Sequence, residues 1–322
     1  MEINMESQKK LGGAKEERSE KLLDRMCSVA IVLATYNGEK YLQDQLDSLL
    51  RQTGVKVEIL VRDDGSDDGT TLILDEYQNR KLIKWYAGEH IGVQKGYLDL
   101  LKHAPKADYY AFCDQDDVWD DDKLLCAVAE LEQMPVEKPL IYYCGQRLVD
   151  ENLNLLSIHN IDVRRSPYTN FLISNVAGCT AVFNKNLLDA VNYANPDFIL
   201  MHDSWVFKVC LVLGGRYYAD SSVHISYRQH GNNVAGLNGG IRGKIRQAKR
   251  YINTFKIQKQ LQNLVLCYGD KMIPEYRQLA SLVCDYDKSF NNWIRLLLYR
   301  GFNFRSRGLN CIVKIKIFMK KL

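Results

Sequence analysis

The chain has 322 residues, 46% hydrophobic and 25% charged, the make-up of a globular protein with one large domain, or one domain plus an appendage, and not of a disordered or fibrous one. Nine cysteines without any CxxC spacing argue against a disulfide framework or a zinc site and read as reduced core thiols of a cytoplasmic protein; no apolar run reaches the roughly 18 residues of a membrane span. The net charge of +4 hides two unequal parts: residues 241–322 hold 18 Lys and Arg against 4 acids, or +14, which leaves 25 against 35, or −10, for residues 1–240.

Residues 1–26 are polar and charged, lack the apolar stretch of a signal peptide and are expected to form a disordered extension. Residues 28–33 are an apolar, β-branched run that predicts a strand. A turn follows at Ala34-Thr35-Tyr36-Asn37-Gly38, then a helix over 41–52 with Leu42, Leu46, Leu49 and Leu50 on one face. A second strand over 55–61 ends in the acidic, glycine-rich loop 62–69. A helix over 70–78, a short strand over 82–86 and a helix over 93–103 lead to a strand over 109–113, with a helix expected over 121–133. Residues 175–180 read as a small-residue loop entering a strand over 181–183, before a helix over 204–213 and a strand over 224–227. This alternation over 27–240 predicts an α/β fold, a Rossmann-like and mostly parallel sheet with helices on both faces. Residues 241–322 are expected to form a basic helical C-terminal region.

In open sheets of this kind ligands bind beyond the carboxyl ends of the strands. Those ends carry Tyr36-Asn37, Asp63-Asp64 and Asp114-Gln115-Asp116-Asp117. Clustered carboxylates repel one another, and a divalent cation between them relieves the repulsion; hard oxygen ligands favour Mg2+ or Mn2+ over zinc. The plainer alternative is an acidic turn capping the helix that follows. Neither GxxxxGK[ST] nor GxGxxG follows the first strand, which weakens NTPase and dehydrogenase readings. Tyr36 can stack on a flat base, and Asp64 can accept a hydrogen bond from the ring N–H of uracil or thymine. Asp203 carries a charge suited to the N-terminus of the 204–213 helix. His230, beside Arg228 and before a glycine, is a candidate metal or diphosphate contact or an ordinary surface histidine; Gly92 and Lys95, at the start of the 93–103 helix, are candidate donor contacts. The C-terminal region interleaves its charges with Ile312, Val313, Ile315, Ile317, Phe318 and Met319. That pattern fits peripheral contact of residues 301–322 with an anionic membrane better than it fits nucleic acid, and equally fits a helix packed on the body with a solvated basic face.

Ala34-Thr35-Tyr36-Asn37, Asp63-Asp64-Gly65-Ser66 and Asp114-Gln115-Asp116-Asp117-Val118-Trp119, in that order and spacing, resemble family 2 glycosyltransferases of the GT-A fold over roughly residues 27–235. With Tyr227-Arg228-Gln229-His230-Gly231-Asn232-Asn233, the pattern is similar to the rhamnosyltransferase-like branch of bacterial cell-surface polysaccharide assembly. The resemblance implies an inverting, metal-dependent transfer from a UDP- or dTDP-sugar, dTDP-rhamnose among them, to a saccharide acceptor, lipid-linked at the cytoplasmic face of the membrane. Tyr36 and Asp64, with Ala34 and Asp114, match the nucleotide-holding positions, Asp114 and Asp116 the metal-binding acids, and Asp203 the catalytic base. Asp117, Trp119, Gly178, Cys179 and His202 fall where the family meets the sugar or the acceptor. The usual acid before the base is here His202, a departure that leaves its role open. Two rivals remain: a catalytically silent scaffold binding a nucleotide sugar or polysaccharide, and a phosphatase of the haloacid dehalogenase type, whose DxDx[TV] signature Asp114 to Val118 also spell. The phosphatase signature belongs after the first strand, whereas here three strands precede it.

Overall fold

The computed structural model describes residues 26–230 and 256–322. Of the sequence expectations, the extension before Met26, the boundary at residue 240 and the Gly231-Asn232-Asn233 segment lie outside those residues. The described elements, in order, begin with β1 (Ser28–Thr35), α1 (Leu42–Leu50), β2 (Lys56–Asp63), α2 (Thr70–Asn79), β3 (Lys84–Ala87) and α3 (Val93–His103). Next come β4 (Tyr109–Cys113), β5 (Val118–Trp119), α4 (Lys123–Leu131), β6 (Leu140–Val149) and β7 (Leu155–His159). Then follow α5 (Pro167–Leu172), a 3-10 turn (Gly178–Thr180), β8 (Val182–Asn184), α6 (Lys185–Asn192), α7 (His202–Val212) and β9 (Arg216–Arg228). The chain closes with α8 (Ile257–Tyr268), α9 (Pro274–Asp285), α10 (Phe290–Leu297) and α11 (Arg307–Phe318).

The strands form one sheet in the order β3-β2-β1-β4-β8-β6-β9-β5, with β7 hairpinned onto β6. β3, β2, β1 and β4 run parallel, and β8 enters antiparallel to both β4 and β6. The register sets Thr35 beside Asp63 and Leu33 beside Cys113, so the loops after β1, β2 and β4 leave the sheet at one rim. β1 shows why this strand is central: Ala30 and Val32 point into one core and Val29, Ile31 and Leu33 into the other, all fully buried, as the period of two requires when helices cover both faces.

The sequence reading assigned no element between residues 133 and 175, where β6, β7 and α5 lie. β6, a ten-residue strand buried at nine positions, has no alternation to betray it, because both of its faces are covered. β9 is also longer than expected, beginning at Arg216 rather than 224, and pairs parallel to β6 along most of its length.

α7 is buried nearly all round, because α8 and α9 cover the side that the sheet does not: Ile257, Leu261, Leu279 and Val283 share one core with Trp205, Val206 and Phe207. α11 joins the same core through Val313 and Ile317. Among the described residues, no helix is long and apolar enough to cross a membrane.

Candidate active site

The rim where β1, β2 and β4 end opens into a cleft of about 1140 Å³, walled on the far side by the 3-10 turn, the start of α7 and the end of β9. Of the residues singled out from sequence, Ala34, Tyr36, Asp64, Gly92, Asp114, Asp116, Gly178, Cys179, His202, Asp203 and His230 line it.

At one end Tyr36 is 46% exposed, its ring 4.8 Å from that of His90. The two rings touch at a tilt, which leaves the outer face of Tyr36 free to stack on a planar ring. The turn carrying Tyr36 is fixed by Gln115, whose Oε1 accepts from Thr35 Oγ1 at 2.6 Å and from the Tyr36 N–H at 2.8 Å, while its Nε2 donates to the Tyr36 carbonyl at 3.2 Å. Gln115 is thus a clamp between two strand ends. Asp64 is oriented by Arg62, which is only 2% exposed. The Arg62 guanidinium pairs with the Asp64 carboxylate, reaches Asp99 Oδ2 at 3.0 Å and donates to the Glu89 carbonyl at 2.8 Å. Gly92, with φ of +82° at the start of α3, holds a backbone that side chains avoid.

The middle of the cleft is acidic. Tyr97, buried under the floor, has its hydroxyl 2.6 Å from the Cys113 carbonyl and 2.8 Å from Asp114 Oδ1, its single proton shared between the two acceptors. Burial, and then the neighbouring Asp116 charge, push Asp114 up to about 7. Asp116 Oδ2 lies 2.7 Å from His230 Nε2. Asp117 is fully buried; its Oδ1 accepts from the Arg228 N–H at 3.2 Å, and its Oδ2 has no hydrogen-bond partner. Burial raises it well above the usual carboxylate range. Arg228 locks this corner by donating to the Asp116 carbonyl at 2.9 Å, the Glu151 carbonyl at 2.6 Å and Asp44 Oδ2 at 2.9 Å. Three carboxylates crowded on one loop, one of them with a buried orphan oxygen, suit a hard divalent cation. The helix-cap alternative fails on position, since the N-cap of α4 is Asp122.

At the far end Asp203 stands in the first turn of α7, where it faces the Gly178 backbone N–H. Burial raises it to about 6 despite the hydrogen bonds from the Ser204 and Gly178 backbone and the nearby Lys208 charge. His202 stacks on Tyr97 with centroids 3.8 Å apart and meets Phe112 edge-on at 4.7 Å. Burial holds it neutral, at about 3. Gly178 allows this packing: a Cβ there would sit 2.6 Å from His202 Nε2.

Three candidates fall outside the cleft's lining. Trp119 is 1% exposed in β5, under the Lys123 ammonium at 3.3 Å, and so packs the core rather than meeting sugar or acceptor. Asp117 sits behind the lining and acts on it through Arg228. Lys95 is exposed on the outer side of α3, turned away because its neighbours Gly96 and Tyr97 are the buried positions of that helix. Conversely, His90, Gln115, Tyr97 and Lys208 line the cleft or hold it and were not singled out. His90 lies in a loop with no motif of its own, and Gln115 is hidden inside the acidic motif, where the carboxylates carry the signal.

An open α/β sheet whose strand ends gather an exposed aromatic ring, an acid cluster and a buried carboxylate over one cleft is the framework of a group-transfer enzyme. The chain belongs to glycosyl transferase family 2, whose model matches residues 30–192. It is 28% identical over 235 residues to the dTDP-rhamnosyl transferase RfbG of Shigella flexneri, covering 67% of this chain and 77% of that one. Its fold is shared with TarS of S. aureus, solved in complex with UDP-GlcNAc, at a TM-score of 0.54 and 18% identity over 85% of this chain and 76% of that one. A mannosyltransferase of Pyrobaculum calidifontis, solved with GDP-Man and Mn2+, aligns at a TM-score of 0.52 and 17% identity, covering 94% and 92% of the two chains. The protein is therefore a glycosyltransferase of the GT-A fold.

Proposed function

We propose that the enzyme transfers a sugar, with inversion, from a UDP- or dTDP-sugar to a saccharide acceptor of bacterial surface polysaccharide assembly. The observation that carries this is the meeting of Tyr36, Asp64, Asp114, Asp116 and Asp203 around a single cleft. The similarity to a dTDP-rhamnosyl transferase makes dTDP-rhamnose the first donor to try. The open face of Tyr36, backed by His90, stacks on the base, and Asp64, aimed by Arg62, accepts from the ring N–H. Asp114 and Asp116, with His230 beside them, would hold Mn2+ or Mg2+, which when bound neutralises charge on the diphosphate. Asp203 removes the proton from the acceptor hydroxyl as its oxygen attacks the anomeric carbon and the bond to the diphosphate breaks. With one carboxylate placed as base and none needed to hold the sugar covalently, the displacement is direct and inverts the centre. A silent scaffold would have no use for a carboxylate whose affinity for protons is raised in this way.

The working form of Asp203 is the carboxylate. Since burial raises its pKa to about 6, turnover should climb with pH through about 6 and level off above it. The profile of kcat against pH at saturating metal tests this; turnover that is flat from pH 5 to pH 8 would remove Asp203 from the role of base.

The acceptor is proposed to be lipid-linked, met by peripheral contact with an anionic membrane. Support comes from three exposed apolar side chains, Phe290 (75%), Leu298 (68%) and Phe318 (62%), the two phenylalanines both meeting Trp293, within residues 241–322, whose sequence carries a net charge of +14. Residues 301–322 are not a detachable tail: Phe304 and Ile317 are buried, and the Ile317 carbonyl accepts from Trp293 Nε1 at 3.0 Å. The test is therefore Phe290→Ser with Phe318→Ser, not truncation. Binding to vesicles containing phosphatidylglycerol should fall about tenfold or more, given roughly 1.5–3 kcal/mol for each buried large side chain, with donor hydrolysis retained. Equal vesicle affinity of variant and wild type would sink the membrane role.

A further inference from the structure

A second cluster of metal-ligating side chains lies away from the cleft, on the outer edge where α4 meets β9. Asp122 is the N-cap of α4 and Cys126 stands one turn further along the same helix; His224 projects from β9. His224 Nδ1 is 3.3 Å from Asp122 Oδ1, Cys126 Sγ is 3.7 Å from Asp122 Oδ2, and the three ligand atoms all fall within 4.8 Å of one another. A tetrahedral zinc with bonds of roughly 2.0 Å to N and O and 2.3 Å to S has edges of about 3.3 and 3.5 Å, so little movement is needed to bring all three onto one ion. The other nitrogen of the imidazole, Nε2, faces Asp220 Oδ2 at 3.9 Å. Asp220 is itself pinned, by the Tyr142 hydroxyl at 2.9 Å and the Ser222 N–H at 2.8 Å. That separation is about 1 Å beyond a hydrogen bond; closing it would let Nε2–H donate to this fixed carboxylate, the arrangement that orients a metal-binding imidazole and strengthens it as a ligand.

We propose that Asp122, Cys126 and His224 bind a zinc ion, with solvent in the fourth position and Asp220 orienting His224. The mixed sulfur, nitrogen and oxygen set selects zinc over the hard cations suited to the acids of the cleft. The absence of CxxC pairs hid the site, because two of its ligands are four residues apart on a helix and the third comes from a strand about a hundred residues on. The ion would tie the start of α4 to β9, already joined there by the hydrogen bond from the Asp120 N–H to the His224 carbonyl at 3.1 Å. β9 continues from His224 to Tyr227, and His230 follows just beyond its end, so the clamp supports the wall of the cleft without entering it. The inference does not depend on the glycosyl-transfer reading.

The test is titration of the metal-free full-length protein with Zn2+ against a chromophoric chelator, in excess Mg2+, together with the absorption spectrum of the Co2+ form. Wild type should bind one zinc under these conditions, and its cobalt form should show thiolate-to-cobalt charge transfer. Cys126→Ser should abolish that absorption, and both Cys126→Ser and His224→Gln should weaken zinc by about tenfold or more. Asp220→Asn should weaken it by roughly 10- to 100-fold, while Asp116→Ala should leave it unchanged. No zinc bound under excess Mg2+, or binding that survives both ligand variants, or binding lost only with Asp116→Ala, would overturn the site. Circular dichroism of each variant identifies one that fails to fold, and the ligand change that does fold then decides.

Discussion

Asp203→Asn should lower turnover by about 100- to 10,000-fold, the usual contribution of a positioned general base, and leave donor affinity unchanged. Both halves of that result follow from position. The side chain stands in the first turn of α7, the end of the cleft proposed to take the acceptor, whereas Tyr36 and His90, proposed to meet the base, belong to the loops after β1 and β3. Asparagine keeps the size and can still accept hydrogen bonds, so the packing of His202 between Tyr97 and Phe112 should survive. A turnover number equal to that of wild type would show that the proton leaves by another route. A matching loss of donor binding would show instead that Asp203 belongs to the donor's half of the cleft.

Arg62→Met should destabilise the protein by about 3–5 kcal/mol, because it leaves the buried Asp64 carboxylate without its partner. Arg62 also holds Asp99 and the Glu89 carbonyl, so the loop preceding α3 loosens with it. Urea unfolding reads the loss. The double variant Arg62→Met with Asp64→Asn should recover part of it, since the cost is mainly that of an unpaired charge. Single and double variants unfolding at the same denaturant concentration as wild type would mean that the pair carries no stability.

The clusters at the strand ends were legible because polarity changes abruptly there: β1, β2 and β4 are apolar runs, and the residues just past them had to face a rim. Asp64 and the cluster Asp114 to Asp117 stand out on that ground, whereas the choice of Asp114 and Asp116 over Asp117 as metal ligands comes from the family resemblance. Trp119 could not be placed, because an aromatic residue just after an acid cluster looks the same whether it faces ligand or core. Its pairing with Ile225 of β9 draws it inward, and β9 is distant in sequence. The same limit hid β6, whose strand character is fixed by neighbours on both sides rather than by its own pattern. Arg62 was read as the start of a loop because an arginine inside an apolar strand looks like an ending; Asp64, Asp99 and the Glu89 carbonyl together compensate its burial. The C-terminal helices read as an appendage from charge alone, yet their apolar faces complete the core around α7.

The central claim is that the cleft is a metal-assisted nucleotide-sugar site. It is tested most directly by calorimetric titration of UDP, dTDP, GDP and CDP into wild type and Asp116→Ala, each with and without Mn2+. The account predicts that UDP or dTDP binds wild type only with Mn2+ present and that Asp116→Ala does not bind it. If none of the four nucleotides binds, or if Asp116→Ala binds as wild type does, the account is contradicted.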